Sequence, residues 1–280
     1  MAIVRTLLTV LVAACATLAA CSPSRQFELR GQILAIDRER QEVTIKHEDI
    51  RGLMPGMTMP FKVDDRRLLD GLTAGDLVKA TLIVENSNGY LSSIEHTGHE
   101  AVTAAPPPRV DLLEPGQHVP DVRLVDETGK PHTLTDWRGR ILAVTFTYTR
   151  CPFPDFCPRM DRQFQAAQAV ILGDARLRDR AGLLSVSFDP DFDTASVLAA
   201  HAKEVGADSR IWQFATGDRN EIDAFASRFG VSVFREGTGP EGLTHNLRTA
   251  IIGSDGTLSG VLNGNDWTPA DLIDALRRAH

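Results

Sequence analysis

The sequence predicts two successive domains, a small all-β barrel followed by an α/β fold. Short segments of alternating apolar and polar residues, separated by Gly and Asp turns, fill residues 27–97, a pattern typical of a small barrel. From Leu112 onward, apolar strands alternate with amphipathic helices, which indicates a layered α/β domain. The length of 280 residues is also that of about two domains.

The N-terminal segment has the layout of a secretory signal. One positive charge precedes an uncharged apolar stretch over residues 6–20, which is too short to span a bilayer comfortably. The ending Leu-Ala-Ala-Cys resembles the bacterial lipoprotein signal, in which the cysteine is lipidated. We therefore expect a signal peptide over residues 1–20, a lipid anchor on Cys21 and a membrane-anchored lipoprotein that faces the periplasm. The alternative is an ordinary cleaved signal that leaves Cys21 in a tail.

The net charge indicates which partners to expect, and the cysteine content indicates which thiols remain. The net charge is −7 and no basic patch stands out, so we expect no nucleic-acid partner. If the signal is removed and Cys21 carries lipid, only Cys151 and Cys157 remain as thiols. An extracytoplasmic compartment is oxidising, so that a disulfide between them could persist there.

Methionines are concentrated in one stretch of the first domain, whose expected strands lie near residues 27–35, 43–45, 57–63, 77–84 and 90–94. Met57 and Met59 are two residues apart in one strand, so that both thioethers project from the same face. Met54 lies just before them, and His47 ends the preceding strand. Thioether and imidazole ligands together select Cu(I) over harder ions. The alternative is a methionine-lined core face beside a surface histidine.

The segment HEDIRGLMPGMTMPFKV at residues 47–63 resembles the metal site of the CusF-like periplasmic copper-binding domain, a small OB-type barrel. The resemblance covers residues 27–97 and implies that His47, Met57 and Met59 bind Cu(I). The tryptophan that caps the ion in that family is absent here. Met54 lies nearest to its place in the sequence and is a candidate fourth thioether ligand.

A linker rich in Ala and Pro is expected over residues 98–111. Such a stretch is extended and semi-rigid, at about 3.1 Å per residue, and about a dozen residues reach roughly 40 Å. We interpret His96 and His99, at the exit from the barrel, as solvated.

The only two cysteines beyond residue 21 lie at the end of a predicted central strand. Residues 141–148 are apolar and β-branched, and a Pro-broken loop then leads to an amphipathic helix from Pro158. Because Cys157 lies at the helix N-terminus, with Arg150 and Arg159 flanking the pair, we expect its thiol to ionise readily. The alternatives are a structural disulfide and two thiols that merely pack.

The remaining elements of the second domain alternate in the same way. The expected elements are strands at residues 183–188, 249–252 and 258–262, and helices at residues 194–205, at residues 221–229 and from Thr268 to the C-terminus.

This second domain, residues 112–280, resembles the Sco/SenC family of thioredoxin-fold proteins, which bind copper and serve cytochrome c oxidase assembly. The resemblance rests on the motifs TFTYTRC…CP, SFDPDFDT and WQFATGD. It implies a copper site made by Cys151, Cys157 and His245, with Asp189 as a neighbouring carboxylate. Five residues separate the cysteines here, whereas three are usual in the family. A wider loop can still place both sulfurs on one ion, and it changes the redox potential.

Three functions fit these patterns. The first is a periplasmic copper chaperone that binds Cu(I) in both domains, or Cu(II) at the Cys/His site. It would deliver copper to a metalloprotein such as the Cu centre of a cytochrome c oxidase subunit. The second is a thiol–disulfide oxidoreductase, with Cys151 and Cys157 as the redox pair that reduces a metalloprotein target. The weaker third is a peroxidase, because peroxiredoxins share the fold. The sequence leaves open whether the chain is an enzyme.

Overall fold

A computed structural model of the protein describes residues 24–54, 56–85, 88–102, 111–235 and 239–279. The expected signal peptide over residues 1–20, the lipidation site Cys21 and residues 103–110 of the expected linker lie outside these ranges. Within the ranges, no helix combines the length and the apolar character that a membrane span requires.

The first domain is a closed five-stranded barrel. Its strands are β1 (Arg25–Asp37), β2 (Glu42–His47), β3 (Met57–Val63), β4 (Asp76–Glu85) and β5 (Asn88–His99). They follow one another around the barrel in the order β1-β2-β3-β5-β4. β3 pairs with β5 in parallel through Lys62 and Val63 alone, so that residues 57–61 have a strand neighbour on one side, β2. The methionine-bearing part of β3 therefore lies at an opening of the barrel.

The long strand β1 is bent and pairs with two strands of the barrel, β4 and β2. A register shift between Ile33 and Ala35 lets β1 pair with β4 along its first part and with β2 along its second. Gly31 faces His47 across the β1–β2 ladder, and a Cβ there would lie 2.3 Å from the carbonyl oxygen of Lys46. Glycine at this position therefore permits the close pairing that fixes His47.

Two histidines at the end of β5 differ from the expectation that they are solvated. The side chains of His96 and His99 are about half-exposed, as expected. Both, however, contact the buried carboxylate of Asp76, at 3.4 Å from His96 Nε2 and 2.8 Å from His99 Nδ1. These contacts hold the end of β5 to Asp76, the first residue of β4.

The second domain is an α/β layer structure, as predicted. Its strands are β6 (Arg123–Asp126), β7 (Pro131–Thr133), β8 (Ile141–Thr147), β9 (Ala181–Ser187), β10 (Trp212–Thr216), β11 (Val233–Arg235), β12 (Leu243–His245), β13 (Arg248–Ile252) and β14 (Leu258–Asn263), and its helices are α1 (Cys157–Gly173), α2 (Ala195–Glu204), α3 (Arg219–Ser227) and α4 (Pro269–Arg278). The main sheet has the order β14-β13-β8-β9-β10-β6-β7, and β11 and β12 form a separate hairpin. β8, β9 and β10 run parallel at its centre.

Apolar clusters cover both faces of the main sheet. α1 and α4 pack on one face, where Phe164 and Leu272 are fully buried. α3 packs on the other face through Phe225, against Phe146 of β8. The carboxyl ends of the central parallel strands thereby meet at one edge of the sheet, where the cysteine loop begins.

The helix boundaries follow their capping residues. Thr194 caps α2, and Thr268 forms a capping box with Asp271 at the start of α4. α1 begins at Cys157, one residue before the predicted start. Val170, which the helical spacing places in the core, is 43% exposed.

The β11–β12 hairpin is not predicted from the sequence, because strands of three residues are too short to show alternation. His245 is therefore the last residue of β12, and Asn246 and Leu247 separate it from the start of β13.

The two domains contact each other directly. β3 of the barrel lies against β12 of the second domain. Arg25 Nη2 lies 3.1 Å from Asp266 Oδ2, and Arg40 Nη2 lies 3.7 Å from Asp111 Oδ1. The strand with the methionines is thus placed beside the strand with His245.

Candidate metal centres

Both thiols of the second domain lie where the central strand β8 ends. β8 is buried along its whole length, and Tyr148, which follows it, is 2% exposed. Cys151 is half-buried in the next loop, whereas Cys157, the first residue of α1, is 2% exposed. Both cysteines are free thiols.

His245 is oriented toward one of these thiols. Its Nε2 lies 3.7 Å from Cys157 Sγ, and its Nδ1 lies 3.0 Å from the carbonyl oxygen of Asn246. Because a carbonyl only accepts, Nδ1 carries the proton and the lone pair of Nε2 faces the sulfur. Burial lowers the pKa of His245 to about 4. The imidazole is therefore neutral and held in the tautomer that a metal ligand requires.

The two thiols differ strongly in acidity. A hydrogen bond from Cys157 is the largest cause that lowers the pKa of Cys151, to about 6. Burial is the largest cause that raises the pKa of Cys157, and its hydrogen bond to Cys151 adds to it. The expectation that Cys157 ionises readily at the helix N-terminus is therefore wrong. Loss of hydration outweighs the helix dipole when a thiol is buried.

The flanking arginines do not face the thiols as expected. Arg150 Nε pairs with Asp189 Oδ2 at 2.7 Å, and its guanidinium stacks on Phe192 at 4.6 Å. Arg159 lies 3.8 Å from Asp266. Asp189, expected as a neighbouring carboxylate, thus reaches the site through Arg150, the residue next to Cys151.

Three further residues support the site and are missed by the sequence reasoning. The Tyr148 hydroxyl donates to the Leu243 carbonyl at 3.0 Å, which ties β12 to the cysteine strand. The ring of Phe188 packs edge-on against His245 at 4.4 Å. Asp193 accepts hydrogen bonds from the backbone of Thr149 and the hydroxyl of Ser187. All three lie inside the motifs TFTYTRC and SFDPDFDT. These motifs are the feature of the sequence that could have identified them.

Cys151, the third candidate ligand, has a contact within its own loop. Its Sγ lies 3.8 Å from the carbonyl oxygen of Phe153, within its own loop. In the part of the chain that the structure describes, no three His, Cys, Asp or Glu side chains are arranged as they stand to hold an ion. Binding of one ion by both sulfurs and His245 therefore needs these three side chains to move closer together.

The barrel brings together the predicted histidine and methionines. His47 and Met57 are direct partners across the β2–β3 ladder, and Met59 is the next residue on the same face. The Nδ1 of His47 donates to the Glu48 carbonyl at 2.7 Å, whereas Nε2 is buried and has no hydrogen-bond partner among the residues that the structure describes. Burial lowers the pKa of His47. A neutral imidazole with a free buried lone pair beside two thioethers has the donor set of a Cu(I) site.

Met54 and Phe61 complete the surroundings of this site. Met54 forms an isolated bridge with Ile50 and packs partly buried against the barrel core. The Phe61 ring meets the His47 ring edge-on, with centroids 5.6 Å apart. Met54 lines the same cleft as Met57 and Met59.

Comparison with known proteins assigns both domains. The family described as "SCO1/SenC" matches residues 111–280. The family described as "Copper binding periplasmic protein CusF" matches residues 26–96. A SCO1 protein homolog of Bacillus subtilis is 25% identical over 149 residues, which are 53% of this chain and 75% of that protein.

Solved structures resemble the second domain. The structure of a SCO1/SenC family lipoprotein from Bacillus anthracis has a TM-score of 0.53 at 23% identity, and the match covers 60% of this chain and 98% of that one. A second structure has a TM-score of 0.50 at 23% identity, covering 60% of this chain and 96% of that one. Its description reports a disulfide switch in BsSco, a member of the Sco family of cytochrome c oxidase assembly proteins. These neighbours confirm the thioredoxin-like fold predicted for the second domain, and the closed barrel of the first domain follows from its strand pairing. This chain belongs to the SCO1/SenC family, with a CusF-like domain ahead of its SCO1/SenC domain.

Proposed function

We propose that the protein is a periplasmic copper chaperone that binds Cu(I) in both domains. It delivers the ion to a metalloprotein such as the Cu centre of cytochrome c oxidase. The observation that carries the proposal is the orientation of His245, a buried neutral imidazole whose Nε2 lies 3.7 Å from Cys157 Sγ. Two sulfurs and one imidazole are a soft donor set suited to Cu(I), and the Cys/His combination also accommodates Cu(II).

The thiol site would take up copper with release of protons. Cys151, with a pKa of about 6, is already a thiolate at neutral pH, whereas Cys157 must lose its proton to bind. The metal's positive charge then replaces the proton in the buried pocket. Affinity at this site should therefore rise with pH.

The barrel site would bind copper through neutral ligands. Met57, Met59 and His47 carry no charge, and Met54 is a candidate fourth thioether. The unpartnered Nε2 of His47 costs about 1–3 kcal/mol in the metal-free protein. An ion that accepts this lone pair would offset that cost.

Anaerobic Cu(I) titration against a chromophoric chelator tests the proposal. We expect the reduced protein to bind two equivalents, and Cys151→Ala and Met57→Leu to bind one each. Met160→Leu, a volume-conserving change in the other domain, is the control for the barrel variant and should still bind two. A wild-type protein that binds fewer than two equivalents of Cu(I) would contradict the proposal.

A thiol–disulfide oxidoreductase is the second candidate, and the split acidity of the thiols favours it. An accessible thiol of pKa about 6 beside a buried thiol of raised pKa matches the roles of attacking and resolving cysteines. Reduction of a disulfide-bonded target by the metal-free protein, lost in Cys151→Ala, would support this function. The peroxidase alternative rests on the fold alone.

A further inference from the structure

The methionines of the barrel site and the histidine of the Cys/His site line one cleft between the domains. The cleft has a volume of about 570 Å³. Met54, Met57 and Met59 line its barrel side, and His245 and Asn246 line the opposite side. The thioether ligands and the imidazole ligand are therefore walls of the same space.

The outer surface of the barrel beside this cleft is covered by the second domain. Strand alternation places Thr44 of β2 and Thr58 of β3 on the outer face, since Ile45 and Phe61 of the same strands lie in the barrel core. Outer threonines of a small barrel are normally exposed, yet Thr44 is 7% and Thr58 is 4% exposed. β12 lies directly against β3. Docking of the second domain accounts for this burial.

Charged groups flank the docked surfaces. Arg25 of β1 pairs with Asp266 at 3.1 Å, and both side chains are about half-exposed. Arg248 of the second domain, which is half-buried, and Glu42 of the barrel both line the cleft. Partial burial lowers the pKa of Arg248, and the carboxylate of Glu42 opposes this shift. Opposite charges therefore face each other across the contact between the domains.

We propose that Cu(I) passes from the barrel site to the Cys/His site inside this cleft while the domains are docked, without entering bulk solvent. The inference rests on the proposed function, because both sites must bind Cu(I). Thiolates hold Cu(I) more tightly than neutral thioethers do, so that the favourable direction is from Met57 and Met59 to Cys151 and Cys157.

The transfer is a ligand exchange without electron transfer. Copper–thioether and copper–imidazole bonds to Met57, Met59 and His47 break, and bonds to the two cysteine sulfurs and His245 Nε2 form. Each cysteine that is still protonated gives its proton to water. Copper remains Cu(I) throughout, and His47 returns to its metal-free neutral form.

A trapping experiment on the full chain tests the proposal. The Cys151–Cys157 pair is first oxidised to a disulfide, so that one equivalent of Cu(I) occupies the barrel. A phosphine reductant then frees the thiols in the presence of excess bathocuproine disulfonate, and the absorbance of its copper complex reports the ion that reaches solvent. We expect the wild-type chain to retain most of its copper and to develop the ultraviolet thiolate–Cu(I) absorption.

Two variants of matched chemistry separate docking from other effects. Thr58→Arg places a large cation on the covered face, and we expect it to lose on the order of tenfold more copper to the chelator, because the effective concentration of the acceptor site falls. Thr81→Arg makes the same change on the outer face of β4, at a half-buried position outside the cleft. Its loss should equal that of the wild type.

Two further variants change residues at exposed positions, where a substitution is not expected to unfold either domain. Arg25→Glu repels Asp266 and should raise the loss by on the order of two- to fivefold, the range of an exposed ion pair. The double variant Arg25→Glu/Asp266→Arg should return toward the wild-type value.

The experiment distinguishes failure of this inference from failure of the proposed function. If all chains bind two Cu(I) but Thr58→Arg and Arg25→Glu lose no more copper than Thr81→Arg, transfer inside the cleft is overturned and the copper function stands. If the wild-type chain does not bind Cu(I) at both sites in the prior titration, the proposed function and the inference both fail.

Discussion

At the scale of single residues, burial decides which cysteine is reactive. Position along the chain favours Cys157, because it begins a helix, whose N-terminus attracts an anion. The structure buries its sulfur almost completely and leaves Cys151 half-buried in a loop. Burial disfavours a thiolate more than one helix terminus favours it. Cys151 therefore becomes the acidic thiol, with Cys157 as its hydrogen-bond donor.

Alkylation against pH tests this assignment. The folded pKa of Cys151 is lowered to about 6, so its thiolate is present above that pH and is lost as the pH falls through it. Iodoacetamide modification of the metal-free reduced protein, quantified by peptide mass spectrometry, should show a midpoint near pH 6 for Cys151. Cys157 should react slowly throughout this range, because burial raises its pKa.

The Cys157→Ala variant is the control for this prediction. It removes the hydrogen-bond donor, so that the alkylation midpoint of Cys151 should move up toward the free value of about 8.5. A wild-type midpoint at or above that value, or faster modification of Cys157 than of Cys151, would contradict the assignment.

At the scale of elements, strand pairing creates both candidate sites. His47 meets Met57 because β2 and β3 pair in a single register, in which Ile45 also meets Met59. A shift of one residue would turn the thioethers to the outer face. On the far side of β2, Gly31 lets β1 approach closely, since a Cβ would lie 2.7 Å from the His47 Cα.

Replacement of Gly31 by Ala should therefore weaken the barrel site selectively. We expect a loss of about 1–3 kcal/mol in the free energy of unfolding of the barrel, the usual cost of overpacking. Cu(I) binding at the barrel should weaken with it, whereas the Cys/His site should keep its affinity. Denaturant unfolding and Cu(I) titration measure the two effects.

Gly260→Ala is the matched control, because a Cβ there meets nothing within 4 Å. Its barrel stability and its copper stoichiometry should equal those of the wild type. Equal Cu(I) affinity of the barrel site in Gly31→Ala and in the wild type would show that the close β1–β2 approach does not position His47.

At the scale of the whole molecule, one chain joins two donor sets of different strength. The barrel methionines Met54, Met57 and Met59 and the imidazole of His245 line one cleft, with opposite charges across the contact at Arg25 and Asp266. A tether between two sites makes the second binding event intramolecular. The arrangement suits a protein that collects copper at one site and passes it to another.

The Leu-Ala-Ala-Cys ending predicts that this molecule is held at a membrane by lipid. Cys21→Ser should move the protein from the membrane fraction to the soluble fraction, because it removes the sulfur to which the predicted lipid would be attached. Immunoblotting of the fractions measures the change, and Cys15→Ser, inside the expected signal, is the control that should remain in the membrane. A mature N-terminus other than residue 21 by mass spectrometry would contradict the prediction.

The sequence by itself determined the order of the domains, most strands and helices, and the residue types of both candidate sites. These features depend on alternation, capping residues and short motifs such as MPGMTMPF, all of which are local. Only the tertiary structure decided which of the two thiols is acidic. It also decided that Arg150 forms an ion pair with Asp189. Finally, it placed β12 so that His245 lies beside Cys157 while the strand contacts the barrel. Acidity depends on loss of hydration, and the shared cleft depends on contacts between strands nearly 200 residues apart, so that neither can be read from neighbouring residues.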